Sequence, residues 1–212
     1  LAFYGIYALQ HRGQESAGIA SADGNEIKLR TGMGLVTHVF KDEDLDYLTG
    51  NTAIGHTRYS TTGTSNIKNA QPIIVDGENF KLGIAHNGNV VNSLELKREL
   101  EELGQDFNTS SDSEVIAKIV ASAPATTWGA RIAYLMRKVQ GAYSLTLMTE
   151  KELIAVRDPL GVRPLCFGSV NGGWIIASES CALDNVGAKF VREVNPGEAI
   201  MFDSSGFKSI YQ

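Results

Sequence analysis

Cysteine is scarce in this chain of 212 residues: Cys166 and Cys181 are the only two. Both sit in apolar surroundings without metal-type spacing, so they read as reduced, packed thiols of a cytoplasmic protein. Long apolar runs are missing too. None approaches the roughly eighteen residues that a membrane span needs, and no signal peptide or basic amphipathic leader opens the chain. Positive charge is in deficit, with 19 Lys and Arg against 24 Asp and Glu and a net charge of −5. That balance argues against a general nucleic-acid binder, which shows a basic face. Low-complexity stretches, charge runs and internal repeats are absent as well. What remains is ordinary: 43% hydrophobic and 20% charged residues can build a core, and the length suits one large domain spanning 1–212. The chain opens Leu1-Ala2-Phe3 rather than with methionine, so it is read as a fragment.

Patterning gives strands, then clustered helices, then strands. The first ten residues read as a helix that ends before Gly13. Residues 18–22 and 26–29 read as strands joined by Asp23-Gly24-Asn25, a hairpin signal. Strand-like runs follow at 53–57, 73–75 and 82–85, with a polar loop over 60–69 between the first two. A helix is expected from Asn92, with Glu95 at capping-box spacing and Leu96, Leu100 and Leu103 on one face. A second follows Ser111, with Glu114 at the reciprocal capping position and Val115, Ile116, Ile119 and Val120 inward. A third carries Trp128, Ile132, Leu135, Met136 and Val139 on one stripe. Strands return at 143–148 and 153–156 and around Asn171-Gly172. Such grouping predicts an α+β fold of packed layers rather than a parallel βαβ sheet.

Five clusters concentrate small and polar residues beside strand ends: Gln10 to Ser16, Gly55 to Thr61, His86 to Asn89, Ser110 to Glu114 and Arg157 to Pro164. Each alone has a structural explanation. Asn87-Gly88 between apolar runs suits a tight hairpin turn. Ser111-Asp112 suits a helix start. Arg58 near a strand end suits a surface or ion-paired residue, and Asp158-Pro159-Leu160-Gly161 suits a turn. His11, His56 and His86 lack metal-ligand spacing, so no metal site is expected. Composition and spacing alone stop at an α+β domain.

Together the clusters say more. Gln10-His11-Arg12-Gly13-Gln14-Glu15, His56-Thr57-Arg58-Tyr59-Ser60-Thr61, His86-Asn87-Gly88-Asn89, Ser111-Asp112-Ser113-Glu114 and Asp158–Pro164 come in the order of the class II glutamine amidotransferases. The Gln-His-Arg-Gly-Gln and Asp-Pro-x-Gly-x-Arg-Pro versions resemble the amidophosphoribosyltransferase branch, and the match runs through essentially the whole chain.

That resemblance implies a four-layer αββα N-terminal-nucleophile hydrolase sandwich, with two antiparallel sheets between helix layers. It implies hydrolysis of glutamine to glutamate and ammonia for purine biosynthesis. The catalytic positions it carries over are Asn87 and Gly88, resembling an oxyanion hole, and Arg12 and Gly13, packed against the nucleophile. Arg58 resembles the clamp on the substrate α-carboxylate, and Asp112 the partner of its α-ammonium. His56, Tyr59 and His86 are left as supporting residues. The family's nucleophile is a cysteine at the processed N-terminus, in a Cys-Gly-x-x-Gly start upstream of Leu1, and its own α-amine is the base. The first strand and this nucleophile are thus expected to be missing, and the chain as it stands inactive. Cys166 and Cys181 are expected to be mostly buried and catalytically idle. The resemblance also implies a C-terminal phosphoribosyltransferase domain in a homo-oligomeric parent. Magnesium and, in some members, an iron–sulfur cluster belong to that part, and no cofactor to this one. Two other readings remain open: the glutaminase domain of another class II amidotransferase, and a non-catalytic glutamine-binding domain.

Overall fold

The computed structural model describes residues 1–59 and 66–212. Along the chain come α1 (Ala2–Ala8), β1 (Ser16–Ala22), β2 (Ile27–Met33), α2 (Val36–Val39), α3 (Asp42–Tyr47) and β3 (Thr52–Arg58). The middle holds β4 (Ile73–Asp76), β5 (Lys81–Val90), α4 (Ser93–Glu102), α5 (Asp112–Ala121) and α6 (Trp128–Lys138). The last part runs through β6 (Gly141–Met148), β7 (Leu153–Arg157), β8 (Cys166–Val170), β9 (Gly173–Ala177), α7 (Ser180–Asn185), β10 (Lys189–Glu193), β11 (Ala199–Asp203) and β12 (Gly206–Tyr211). All the pairings among described residues are antiparallel.

The strands form one sheet of six, in the order β12-β11-β7-β6-β5-β4, and two of three, β2-β1-β3 and β10-β8-β9. One face of the six-stranded sheet is covered by α4, α5 and α6. There Ile116, Ile132 and Leu135 meet Ile84, Leu145 and Leu147, all fully enclosed. Its other face packs on both small sheets. Ala20 and Ile54 meet Ala85 and Met148 on one side, and Phe167 meets Ile200 and Phe202 on the other. The outer faces of the small sheets are closed by helices: α1 and α2 over β1, and α1 with α7 over β8 and β9. The layers are therefore αββα, as expected, but the second β layer is divided between β3 and β9.

Local chemistry explains several boundaries. Asn171 and Gly172 both take positive φ, 50° and 78°, as a two-residue hairpin between β8 and β9 requires. Gly104 follows α4 at φ 81° and ends it in the left-handed conformation. Ser111 caps α5 by accepting from the Ser113 amide at 3.2 Å. The expected reciprocal bonds do not form. Glu114 instead accepts from the amides of Asn108 and Thr109, fixing the approach to α5. Asn92 makes no cap bond, because its amide bridges Lys138 O and Gln140 N at the far end of α6. Leu103 is also not on the buried face: it lies past the last turn of α4 and is 78% exposed.

The largest correction concerns Asn87-Gly88. It is not a turn. Both residues lie inside β5, opposite Ser144 and Tyr143 of β6. A long-range ladder overrides the local turn preference of the dipeptide.

Candidate active site

A cavity of about 630 Å³ runs between β3 and β9, with strands of the six-stranded sheet beneath it. Ile54 and His56 line it from β3, Ile175 and Ala177 from β9, and Asn87 and Ser144 from the sheet below. On their cavity sides β3 and β9 have no paired strand among the described residues, so the walls are two strand edges. Most of the lining is apolar, but the floor is not.

Asn87 stands at that floor on β5, the strand between β4 and β6, and Gly88 follows it in the same strand. The Asn87 Nδ2 donor is shielded from solvent without a partner among the described residues. A Cβ on Gly88 would collide with the Ala142 carbonyl and crowd the His86 ring, so only glycine fits this pairing. His86 is buried; its Nδ1 lies 3.0 Å from Ser113 Oγ and 3.7 Å from Asp112 Oδ1. Burial lowers the His86 pKa, Asp112 opposes the shift, and Arg163 adds to it. Asp112 also accepts from the Val90 amide at 3.0 Å. His56 Nε2 is 3.0 Å from the His86 carbonyl, which ties β3 to β5. Burial pushes the His56 pKa from 6.5 down to about 4, and the neighbouring His86, Arg58 and Arg12 charges push the same way.

At the other side of His56, Arg58 pairs with Glu15 at 2.6 Å, both largely enclosed. Gly13 is pressed against the end of β3: a Cβ there would run into the backbone of Thr57 and Arg58. Arg12 pairs with Glu179, which also faces His11 Nε2 at 3.0 Å. Burial pushes the Glu179 carboxyl up, yet the bonds from Arg12 and His11 outweigh it and hold it below the ordinary range. Arg12 is thus joined to the start of α7, a link that nothing in the sequence signals.

The expected site residues fall into two linked groups. Gly13 and Arg58 adjoin at the end of β3, while Asn87, Gly88, His86 and Asp112 adjoin around β5 and the start of α5. His56 connects them. Of the expected catalytic and substrate-binding residues, Asn87 is the one that lines the cavity; Arg12, Gly13, Arg58, Gly88 and Asp112 are not among its lining residues. Ser60 and Thr61 of the second motif lie outside the described residues.

The other motifs have structural work. Asp158 is fully buried and accepts from the amides of Leu160, Val162 and Tyr143. Arg157 binds the Gly161, Arg163 and Val194 carbonyls and pairs with Glu193. Cys166 is buried, with its thiol pushed up to about 11 mainly by that burial. Cys181 is half-buried at the first turn of the short α7. Burial and then Glu179 raise its pKa. No helix among the described residues is long and apolar enough to cross a membrane.

Residues 15–202 match the family described as the glutamine amidotransferase domain. The chain is 47% identical over 201 residues to an amidophosphoribosyltransferase of Archaeoglobus fulgidus, covering 94% of this chain and 44% of that protein. It is 48% identical to the chloroplastic amidophosphoribosyltransferase 2 of Arabidopsis thaliana, covering 98% of this chain and 37% of that one. Among solved structures it is similar to the glutamine phosphoribosylpyrophosphate amidotransferase of B. subtilis complexed with ADP and GMP. The TM-score there is 0.91 at 43% identity, over 98% of this chain and 45% of that chain. The chain therefore spans less than half the length of these relatives, and it belongs to the glutamine amidotransferase domain family.

Proposed function

We propose that this chain is the glutamine-hydrolysing domain of an amidophosphoribosyltransferase, and that the cavity between β3 and β9 seats an extended segment carrying the nucleophile. The observation that carries this reading is the divided β layer: two strand edges face one cavity whose floor holds the unpartnered Asn87 donor. A strand laid there would pair with both edges and join the small sheets into one. A cysteine at its start would stand over Asn87 and Gly88.

In the proposed reaction the α-amine of that cysteine takes the thiol proton, and sulfur attacks the side-chain carbonyl carbon of glutamine. The carbonyl oxygen gains negative charge, which Asn87 Nδ2 and the Gly88 amide receive. The C–N bond breaks, ammonia leaves with the proton returned from the amine, and water hydrolyses the thioester to glutamate. Arg58 holds the substrate α-carboxylate through its planar donor pair. Asp112 holds the α-ammonium. Arg12 and Gly13, braced by Glu179 and β3, form the wall behind the sulfur. The ammonia would be consumed by a phosphoribosyltransferase domain in the same longer chain, acting on phosphoribosyl pyrophosphate.

On this reading residues 1–212 alone turn over no glutamine. The test is ammonia and glutamate release by the longer protein and by this chain side by side. Turnover by the longer protein is expected to exceed that of the chain by at least about 10³-fold, the scale of losing a covalent nucleophile. Equal turnover would overturn the assignment.

A further inference from the structure

We propose that His56 is a further functional residue of this site: its Nδ1 accepts a hydrogen bond from the α-amine of the residue whose thiol attacks glutamine. The inference rests on the function proposed above.

The ring's tautomer is fixed by geometry. His56 Nε2 lies 3.0 Å from the His86 carbonyl oxygen, and a carbonyl can only accept. Nε2 therefore carries the hydrogen, and in the neutral ring Nδ1 is a bare lone pair. That Nδ1 is shielded from solvent and has no hydrogen-bond partner among the described residues. Buried polar atoms in folded proteins nearly always have a partner, so an orphan beside a cavity calls for one from the cavity's occupant. His56 lines the same cavity as Asn87, whose Nδ2 donor is likewise unpartnered. One acceptor and one donor thus stand at one cavity on facing sheets.

Thiol attack needs that pair. As the S–H proton moves to the α-amine, the amine becomes an ammonium and seeks an acceptor. The carbonyl oxygen becomes anionic and seeks a donor. His56 Nδ1 serves the first and Asn87 Nδ2 the second; no proton passes to the ring. A cationic imidazole would repel the ammonium, and burial beside Arg58 and Arg12 keeps the ring neutral near pH 7. The His86 carbonyl that holds Nε2 belongs to the peptide unit preceding the Asn87 side chain, so one hydrogen bond sets both groups in register.

Two variants of the longer, cysteine-bearing protein separate the functions of the two ring nitrogens. In His56→Asn the amide oxygen occupies the place of Nδ1, and the donor to His86 is lost. In His56→Gln the amide nitrogen reaches the place of Nε2, and the acceptor is lost. We expect His56→Gln to lower kcat by about tenfold or more with KM within about twofold, the scale of one hydrogen bond lost, and His56→Asn to lower kcat at least about threefold less than His56→Gln does. Wild-type kcat in His56→Gln, or equal losses in both, would overturn the proposal while leaving the glutaminase reading intact. Absence of glutaminase activity from the unaltered longer protein would overturn both. Nitrogen-15 spectra of the imidazole in that unaltered protein give a reading independent of the variants. A hydrogen-bonded Nδ1 acceptor is expected, and a bare one would contradict the assignment.

Discussion

The two faces of the six-stranded sheet are built on opposite terms. Against α4, α5 and α6 the sheet buries a continuous apolar cluster in which Ile116, Ile132, Leu135, Leu145 and Leu147 are fully enclosed. Against the small sheets the contacts divide into two lesser clusters, one around Ala20 and Ile54 and one around Phe167 and Phe202, with the cavity between β3 and β9. His56 Nδ1, Asn87 Nδ2 and Ser21 Oγ, all buried without partners among the described residues, belong to cavity-lining residues. Burying polar groups unpaired costs about 1–3 kcal/mol each, and three of the seven such atoms among the described residues belong to residues lining this cavity. The helix-covered face supplies the stability that offsets that cost.

This contrast makes substitutions on the two faces behave differently. The largest effect on folding is expected from Ile116→Ala, which opens a void in the closed cluster and should cost about 2–5 kcal/mol, read by denaturant unfolding. Glutamine turnover by the folded fraction of the longer protein should be unchanged. A loss under about 1 kcal/mol would mean that the helix face is not the stabilising one. Asn87→Ala is the converse. In the longer protein it should lower kcat by about 10²–10³-fold, as expected for loss of an oxyanion donor, while the melting temperature stays constant or rises because an unpaired donor has been removed. A drop in stability with kcat intact would assign Asn87 to the framework instead.

A smaller effect follows from the cavity-side histidine. His56 is held neutral in the fold, at about 4 against an ordinary 6.5, so the unfolded chain binds its proton first as pH falls. Its stabilising contribution is complete above pH 6.5 and is lost progressively as pH falls toward 4. The slope is at most about 1.4 kcal/mol per pH unit for one such group. His86, also lowered, acts in the same direction. His56→Gln should flatten the stability curve between pH 6.5 and 4, and an unchanged slope would place the acid sensitivity elsewhere. The smallest effect should come from Leu103→Ala. Leu103 lies outside the apolar cluster, and its removal should change stability by no more than about 0.5 kcal/mol, where Leu96→Ala should cost several times that. Equal losses would mean that the cluster extends past α4.

How much of this was legible in the sequence depends on the range of the interaction. Signals settled by neighbours in the chain read correctly: Asn171-Gly172 makes its hairpin, Gly104 ends α4, and Ile132, Leu135 and Val139 of the α6 stripe are buried, with Trp128 and Met136 partly so. Signals that competed with distant partners did not. Asn87-Gly88 has the composition of a turn, but pairing with β6 draws it into a strand. Asn92 has capping spacing, but Lys138 and Gln140 claim its side chain. The candidate site residues stand out only through their ordered resemblance to the amidotransferases. Spacing alone did not reveal the Glu179 brace on Arg12, nor the bond from His56 to the His86 carbonyl. Those contacts join residues 167 and 30 positions apart. The division of the second β layer had no local signal at all, since it is a property of two edges brought together by folding.

Hydrogen exchange at those edges tests the central claim most directly. Backbone amides of β3 and β9 that point into the cavity, measured in residues 1–212 and in the longer protein, should exchange rapidly in the first and be strongly protected in the second. Amides of β6 at the centre of the large sheet should be slow in both. Equal exchange at β3 and β9 in the two proteins would contradict the account, because no strand would then occupy the cavity and the nucleophile would have no seat above Asn87.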